Sequence, residues 1–157
     1  MHRVNASPTR ACSHIAGSHA VVACVLASQG RICLLRRSAA VGSDRGKWHC
    51  VTGFLPAGTD PLEQALAEIG EETGLERDAA RLICQSQPLE LGGDGCTWRI
   101  FPFLFETTSC GLSLNWENDA YRWTDPADVT ETENVAWLVD IWRALDLDTR
   151  RSLRAAA

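Results

Sequence analysis

Between Gly53 and Leu75 the chain reads GFLPAGTDPLEQALAEIGEETGL. Pro56-Ala57-Gly58 interrupts the strand-like run that precedes it, and Asp60 followed by Pro61 starts a helix. The Asp side chain can accept from exposed first-turn amides, and proline suits the first helical turn. Glu63 adds a capping-box-like spacing. The helix is predicted over 61–73, with Gly74 as its terminator because glycine readily takes the left-handed conformation. At about 100° per residue, Leu62, Leu66, Ile69 and Thr73 share one side, and Glu68, Glu71 and Glu72 occupy a neighbouring arc.

Three carboxylates on one arc repel one another and raise at least one pKa unless a cation or hydrogen bonds offset them. Hard oxygen donors of this kind suit Mg²⁺, Mn²⁺ or Ca²⁺; Mg²⁺ usually binds through a few carboxylates, waters and substrate phosphates. The plain alternative is a solvated acidic helix face. Glutamates near a helix C-terminus gain nothing from the macrodipole, so stability explains their position poorly.

The chain around this segment has 157 residues, enough for one domain with a core of its own. A formal net charge of −5, with basic residues clustered no further than pairs such as Arg36-Arg37, gives little support for binding duplex nucleic acid. The seven cysteines form no CxxC or Cys/His zinc spacing and read as reduced cytosolic thiols, which points to a cytoplasmic protein. No apolar run reaches the roughly 18 to 20 residues of a membrane span. Ala20–Ala27 has the look of a signal-peptide core but reads as a buried strand, because a second apolar run follows Gly30.

Residues 1–17, rich in Ser, Ala, Arg and His, read as a disordered tail, 18–148 as the folded domain and 149–157 as a C-terminal tail. Runs at 19–28 and 31–37 form a hairpin across Ser28-Gln29-Gly30. Trp48–Leu55 reads as a short strand, 80–91 and 97–106 as strand-like runs around Gly92-Gly93-Asp94-Gly95, and Tyr121–Trp123 as another strand. Val135, Leu138, Val139, Trp142 and Leu145 mark a core-facing terminal helix over 132–146.

The quoted stretch resembles the Nudix box. In the family that box runs Gly, five residues, Glu, seven residues, Arg-Glu-aliphatic, one residue, Glu-Glu, one residue, Gly-aliphatic. Gly53, Glu68, Ile69, Glu71, Glu72, Gly74 and Leu75 occupy matching positions. Gly46-Lys47-Trp48 resembles the family's lead-in, and Glu117–Trp123, ENDAYRW, its later Glu-containing segment. Thr59 replaces the first box glutamate, Ala67 the arginine, and Val51-Thr52 the usual Pro-Gly.

The resemblance implies an α/β protein, the Nudix-type α/β/α sandwich with a mixed β-sheet. It implies hydrolysis of a nucleoside diphosphate linked to another group, with a small-molecule nucleotide as substrate and homodimerisation as a frequent family habit. Mg²⁺ (or Mn²⁺) would be held by Glu68, Glu71, Glu72 and the Gly53 carbonyl, neutralising the pyrophosphate and lowering the pKa of an attacking water. Glu68 or Glu72 would be the base, with Glu117 as fourth ligand or alternative base. Arg36, Arg37 and Lys47 are candidates to hold phosphate oxygens, and Trp48 to stack on a base; surface solvation and core packing are their ordinary alternatives. Trp98, Trp116, Trp123, Trp137 and Trp142 read as packing residues, and His19 and His49 as structural. Three functions stay open: a divalent-metal pyrophosphohydrolase, a catalytically weak nucleotide-binding or regulatory module, and an interaction domain with a merely soluble acidic helix.

Overall fold

A turn that needs two left-handed residues opens the fold. Gln29 and Gly30, at φ 50° and 76°, join β1 (Gly17–Ser28) to β2 (Arg31–Arg37) in an antiparallel hairpin. Positive φ at both central residues matches the right-handed twist of the flanking strands. The computed structural model describes residues 17–93 and 95–155, so most of the tail expected at 1–17 and the turn residue Asp94 lie outside the described residues.

The remaining strands are β3 (Trp48–His49), β4 (Val51–Phe54), β5 (Ala80–Gln85), β6 (Leu89–Gly93), β7 (Cys96–Thr107) and β8 (Asn118–Thr124). They join β1 and β2 in one mixed sheet of order β3-β2-β1-β7-β5, with β8 against β2, β6 against β7 and β4 against β1. β1 runs parallel to β7 from Gly17 to Ala27 but meets β2 only at Ala27 and Ser28. Earlier in β1, residues Val21 to Cys24 pair with β4 instead. The sheet therefore divides, with β1 and β4 on one branch and β2, β3 and β8 on the other.

Alternation along β1 sends successive side chains to opposite faces. Val22, Cys24 and Leu26 pack with Ala65 and Ile69 of α1 (Pro61–Thr73), while Ala23 and Val25 pack with Leu138, Ile141 and Leu145 of α2 (Leu138–Ala155). The result is an α/β/α sandwich, as the family resemblance implies. Ala20–Ala27 lies within β1, where Val22, Ala23 and Cys24 are fully buried.

α1 has the predicted bounds. Asp60 accepts from the amides of Leu62 and Glu63 at 2.8 and 3.1 Å, a cap of about 1 kcal/mol. Glu63 does not complete a capping box; its carboxylate receives two hydrogen bonds from Arg77 instead. Two further differences concern length. The run expected at 80–91 splits into β5 and β6 around Pro88, which lacks the amide a central ladder position requires. The terminal helix continues to Ala155, through residues expected as a tail, with an i,i+4 contact between Asp146 and Arg150 on its exposed side.

Gly74 closes α1 at φ 70°, donating its amide to the Gly70 carbonyl, and a Cβ there would lie 3.1 Å from Ser113 Cβ. Gly74→Ala is therefore expected to destabilise the protein by about 1–2 kcal/mol and lower Tm by roughly 2–8 °C. Differential scanning calorimetry checks this; an unchanged Tm would contradict the tight left-handed closure.

Candidate active site

Where the sheet divides, a cleft of about 500 Å³ opens. Its floor comes from one sheet face: Val21 and Ala23 of β1, Thr52 and Phe54 of β4, Trp98 and Ile100 of β7. Strand register brings these together, pairing Val21 with both Phe54 and Ile100, and Ala23 with Thr52. Phe54 and Trp98 have ring centroids 5.9 Å apart, a separation at which tilted aromatic pairs attract. Trp116 and Trp137 also line the cleft; Phe54 is 60% and Trp116 66% exposed. Trp116 is thus not the packing residue expected of it.

The polar wall comes from α1 and the segment before β8. Glu68, Glu71 and Glu117 line the cleft, together with Gly53 and Arg37. Gly53 lets the carboxylate end of Glu68 pack close: a Cβ there would fall 2.0 Å from Glu68 Cδ and Oε1 and would turn that side chain away. Gln64, one turn before Glu68, donates to Glu68 Oε1 at 2.8 Å. Burial, and next to it the Glu71 and Glu117 charges, push the Glu68 carboxyl above its usual range, while the Gln64 hydrogen bond pulls it down.

Glu72 departs from the expected polar arc. It is 1% exposed and shares the buried face of α1 with Ala65, Ile69 and Thr73, so it stands behind the cleft wall rather than in it. The Thr52 amide donates to its Oε1 at 3.0 Å and Asn118 Nδ2 to its Oε2 at 2.8 Å. Burial pushes this carboxyl up to about 8 despite those two donors, with Glu117 and Glu68 adding to the rise. His49, also buried, lies 2.6 Å from Asn118 Oδ1 through Nε2; burial lowers its pKa to about 4, against the pull of that hydrogen bond.

The cation candidates separate. Arg37 lines the cleft, donates through Nε to the Ser43 carbonyl at 2.9 Å, and joins no ion pair among the described residues. Arg36 pairs with Asp119 at 2.7 Å and Lys47 with Asp44 at 3.0 Å, and neither lines the cleft. Trp48 packs against the core with the Arg122 guanidinium 4.3 Å over its ring, also away from the cleft. Ala67 is exposed, so the missing box arginine leaves no buried charge unpaired. Gln64, unnoticed in the sequence, supplies the hydrogen bond to Glu68; its i,i+4 spacing was the available signal.

As they lie, no three His, Cys, Asp or Glu side chains among the described residues are arranged to hold a metal ion. The donor chemistry nonetheless fits a hard divalent cation. Every candidate ligand is an oxygen, and Glu68, Glu72 and Glu117 lie close enough for the Glu117 charge to raise the pKa of the other two.

A NUDIX domain model matches residues 18–144 of the chain. An RNA pyrophosphohydrolase of Gluconacetobacter diazotrophicus is 31% identical over 147 residues, covering 79% of this chain and 86% of the relative. Among solved structures, the MutT protein of Methanosarcina mazei Go1 superposes with a TM-score of 0.69 at 19% identity, covering 83% of this chain and 94% of that one. The C. elegans Ap4A hydrolase gives 0.64 at 16% identity, covering 89% and 98%. The chain belongs to the Nudix hydrolase family. It is an enzyme of the class that hydrolyses phosphoanhydride bonds.

Two outcomes follow from this geometry. Gly53→Ala displaces the Glu68 carboxyl and is expected to lower turnover more than about tenfold, since small misplacements of reacting groups cost that much; steady-state kinetics beside a melting curve checks it. Stability of the metal-free protein depends on pH through Glu72. Its folded pKa lies above the ordinary 4.5, so its contribution is full below 4.5 and is lost as pH rises through about 8. His49 acts in the opposite sense, losing stability only as pH falls below 6.5. Between pH 6.5 and 8 urea denaturation should therefore show falling stability, and Glu72→Gln should flatten the fall; a flat profile in the parent would contradict a buried Glu72 proton.

Proposed function

We propose that this protein is a divalent-metal-dependent pyrophosphohydrolase that cleaves a nucleoside triphosphate or a related nucleotide. The observation that carries this reading is one cleft with carboxylates at one wall, an arginine in no ion pair among the described residues, and the exposed rings of Phe54 and Trp116. Glu71, Glu72, the Gly53 carbonyl and Glu117 would hold Mg²⁺ (or Mn²⁺). Bound there, the ion neutralises the pyrophosphate and lowers the pKa of the attacking water.

This chain's own groups supply the rest. Glu68 is the general base: it lines the cleft, Gln64 holds it, and burial raises its pKa, which strengthens it as a proton acceptor. Arg37 Nη atoms take phosphate oxygens, bidentate where geometry allows. Phe54 and Trp116 offer flat apolar surface to a nucleobase, where stacking is worth about 1–3 kcal/mol per base. Thiols at Cys24, Cys33, Cys50, Cys84, Cys96 and Cys110 are all free, which supports the cytoplasm as place of action.

Loss of the box arginine and first glutamate favours one competing reading, a Nudix-fold module that binds a nucleotide and turns it over poorly. The deciding experiment measures product mass from nucleoside triphosphates, dinucleoside polyphosphates, nucleotide sugars and a short 5′-triphosphate RNA, with Mg²⁺ or Mn²⁺. Metal-dependent cleavage is expected. Glu68→Gln should cut kcat more than about a hundredfold with Mn²⁺ binding retained. Trp116→Ala should raise KM more than it lowers kcat. Tight nucleotide binding with no cleavage across the panel would instead select the binding module.

A further inference from the structure

The Nδ1 atom of His49 is buried and has no hydrogen-bond partner among the described residues. On the other side of the ring, Nε2 faces Asn118 Oδ1 at 2.6 Å, and Asn118 Nδ2 reaches Glu72 Oε2 at 2.8 Å. Asn118 is 3% exposed and His49 2%. These residues come from separate strands flanking β2: His49 of β3 stands opposite Leu35, and Asn118 of β8 opposite Arg37.

With the cation bound, the direction of this chain is set by its Glu72 end. A metal ligand must be deprotonated, and an ionised carboxylate only accepts hydrogen bonds. Asn118 must then turn Nδ2 toward Glu72, which leaves Oδ1 toward His49. His49 must donate through Nε2, and Nδ1 is then the nitrogen without a proton. A flipped Asn118 would set its carbonyl oxygen against the carboxylate and its NH₂ against the imidazole N–H, two repulsive contacts in place of two bonds. In the observed arrangement each link from His49 Nε2 through Asn118 to Glu72 joins a donor to an acceptor.

From this geometry we infer that Asn118, oriented by His49, is a positioning residue that holds the Glu72 carboxylate for the divalent cation. The inference rests on the proposed role of Glu72 as a metal ligand. Thr52 holds the other oxygen through its backbone amide, so both carboxylate oxygens are tethered while each keeps lone-pair capacity. Outer partners that orient a ligand typically matter by 10–100-fold in metal affinity. His49 acts one step further out, solely by deciding which way the amide points.

The test uses the full-length protein with Mn²⁺ as probe, its affinity read by electron paramagnetic resonance titration. Thermal melting monitors the fold, and kcat is compared at limiting and saturating metal. Asn118→Leu should weaken Mn²⁺ binding by about tenfold or more. His49→Leu should weaken it in the same direction, and His49→Gln, which restores an N–H near the Nε2 position, should recover most of that loss. The double variant His49→Leu with Asn118→Leu should bind no more weakly than Asn118→Leu alone. A folding defect would instead lower kcat at every metal concentration. Unchanged affinity in the folded leucine variants, or His49→Gln as weak as His49→Leu, would overturn the relay and leave the enzyme assignment standing. If Asn118→Leu does not fold, the His49 pair decides alone. A parent protein that hydrolyses its substrate without binding Mn²⁺ would overturn the metal reading of Glu72 and the relay with it.

Discussion

Burial of the Glu72 carboxyl between α1, β4 and β8 is the constraint around which the site is arranged. The side chain occupies a position that packing alone would assign to an apolar residue, on the same face as Ala65 and Ile69. Such a group is tolerated only with hydrogen bonds, because an unpaired buried carboxyl is costly. One partner is the Thr52 amide of β4, the strand that replaces β2 as the neighbour of β1. The other is Asn118 at the start of β8. A single side chain thereby ties the acidic helix to both branches of the divided sheet, and the cleft lies where they part.

Gly53 completes this arrangement from the opposite direction. Its missing side chain lets the Glu68 carboxyl lie against β4, so adjacent residues of that strand receive one glutamate each: Thr52 through its amide, Gly53 through its empty Cβ position. A four-residue strand thus places the two glutamates, which α1 presents one turn apart. The departures from the family's box are absorbed locally. Ala67 is exposed and needs no partner, and the hydrogen bond that Glu68 receives comes from Gln64 within the same helix.

Much of the scaffold was legible because its signals are local. Asp60-Pro61 and Gly74 act through their own backbone conformations, so the bounds of α1 followed from residues 60–74, and Gln29-Gly30 marked the hairpin for the same reason. What escaped depends on tertiary contact. Leu62 and Leu66 are only partly buried, whereas Glu72 is inside, because the stripe that faces β4 begins at Ala65. Counting hydrophobics alone put the stripe one step around the helix. Trp116 read as core because an indole in a sequence carries no mark of its neighbours; its exposure comes from the segment before β8 that holds it at the lip. The pairing of Arg36 and Lys47 with Asp119 and Asp44 likewise needed the strands to bring the partners together, and it leaves Arg37 as the cation facing the cleft.

The cleft joins two environments that ask for different parts of one ligand. Its floor of Val21, Phe54, Trp98 and Ile100 is apolar and would reject a bare polyphosphate. Its acidic wall would repel the same group unless a cation intervened, since like charges at close range in a partly buried site are strongly unfavourable. Arg37 alone does not balance Glu68, Glu71 and Glu117. A ligand that satisfies both surfaces carries a flat ring system at one end and a phosphoanhydride at the other, and it arrives with a divalent ion. That composition matches the metal-bound nucleotide proposed above, and the lining residues favour it independently of the box motif.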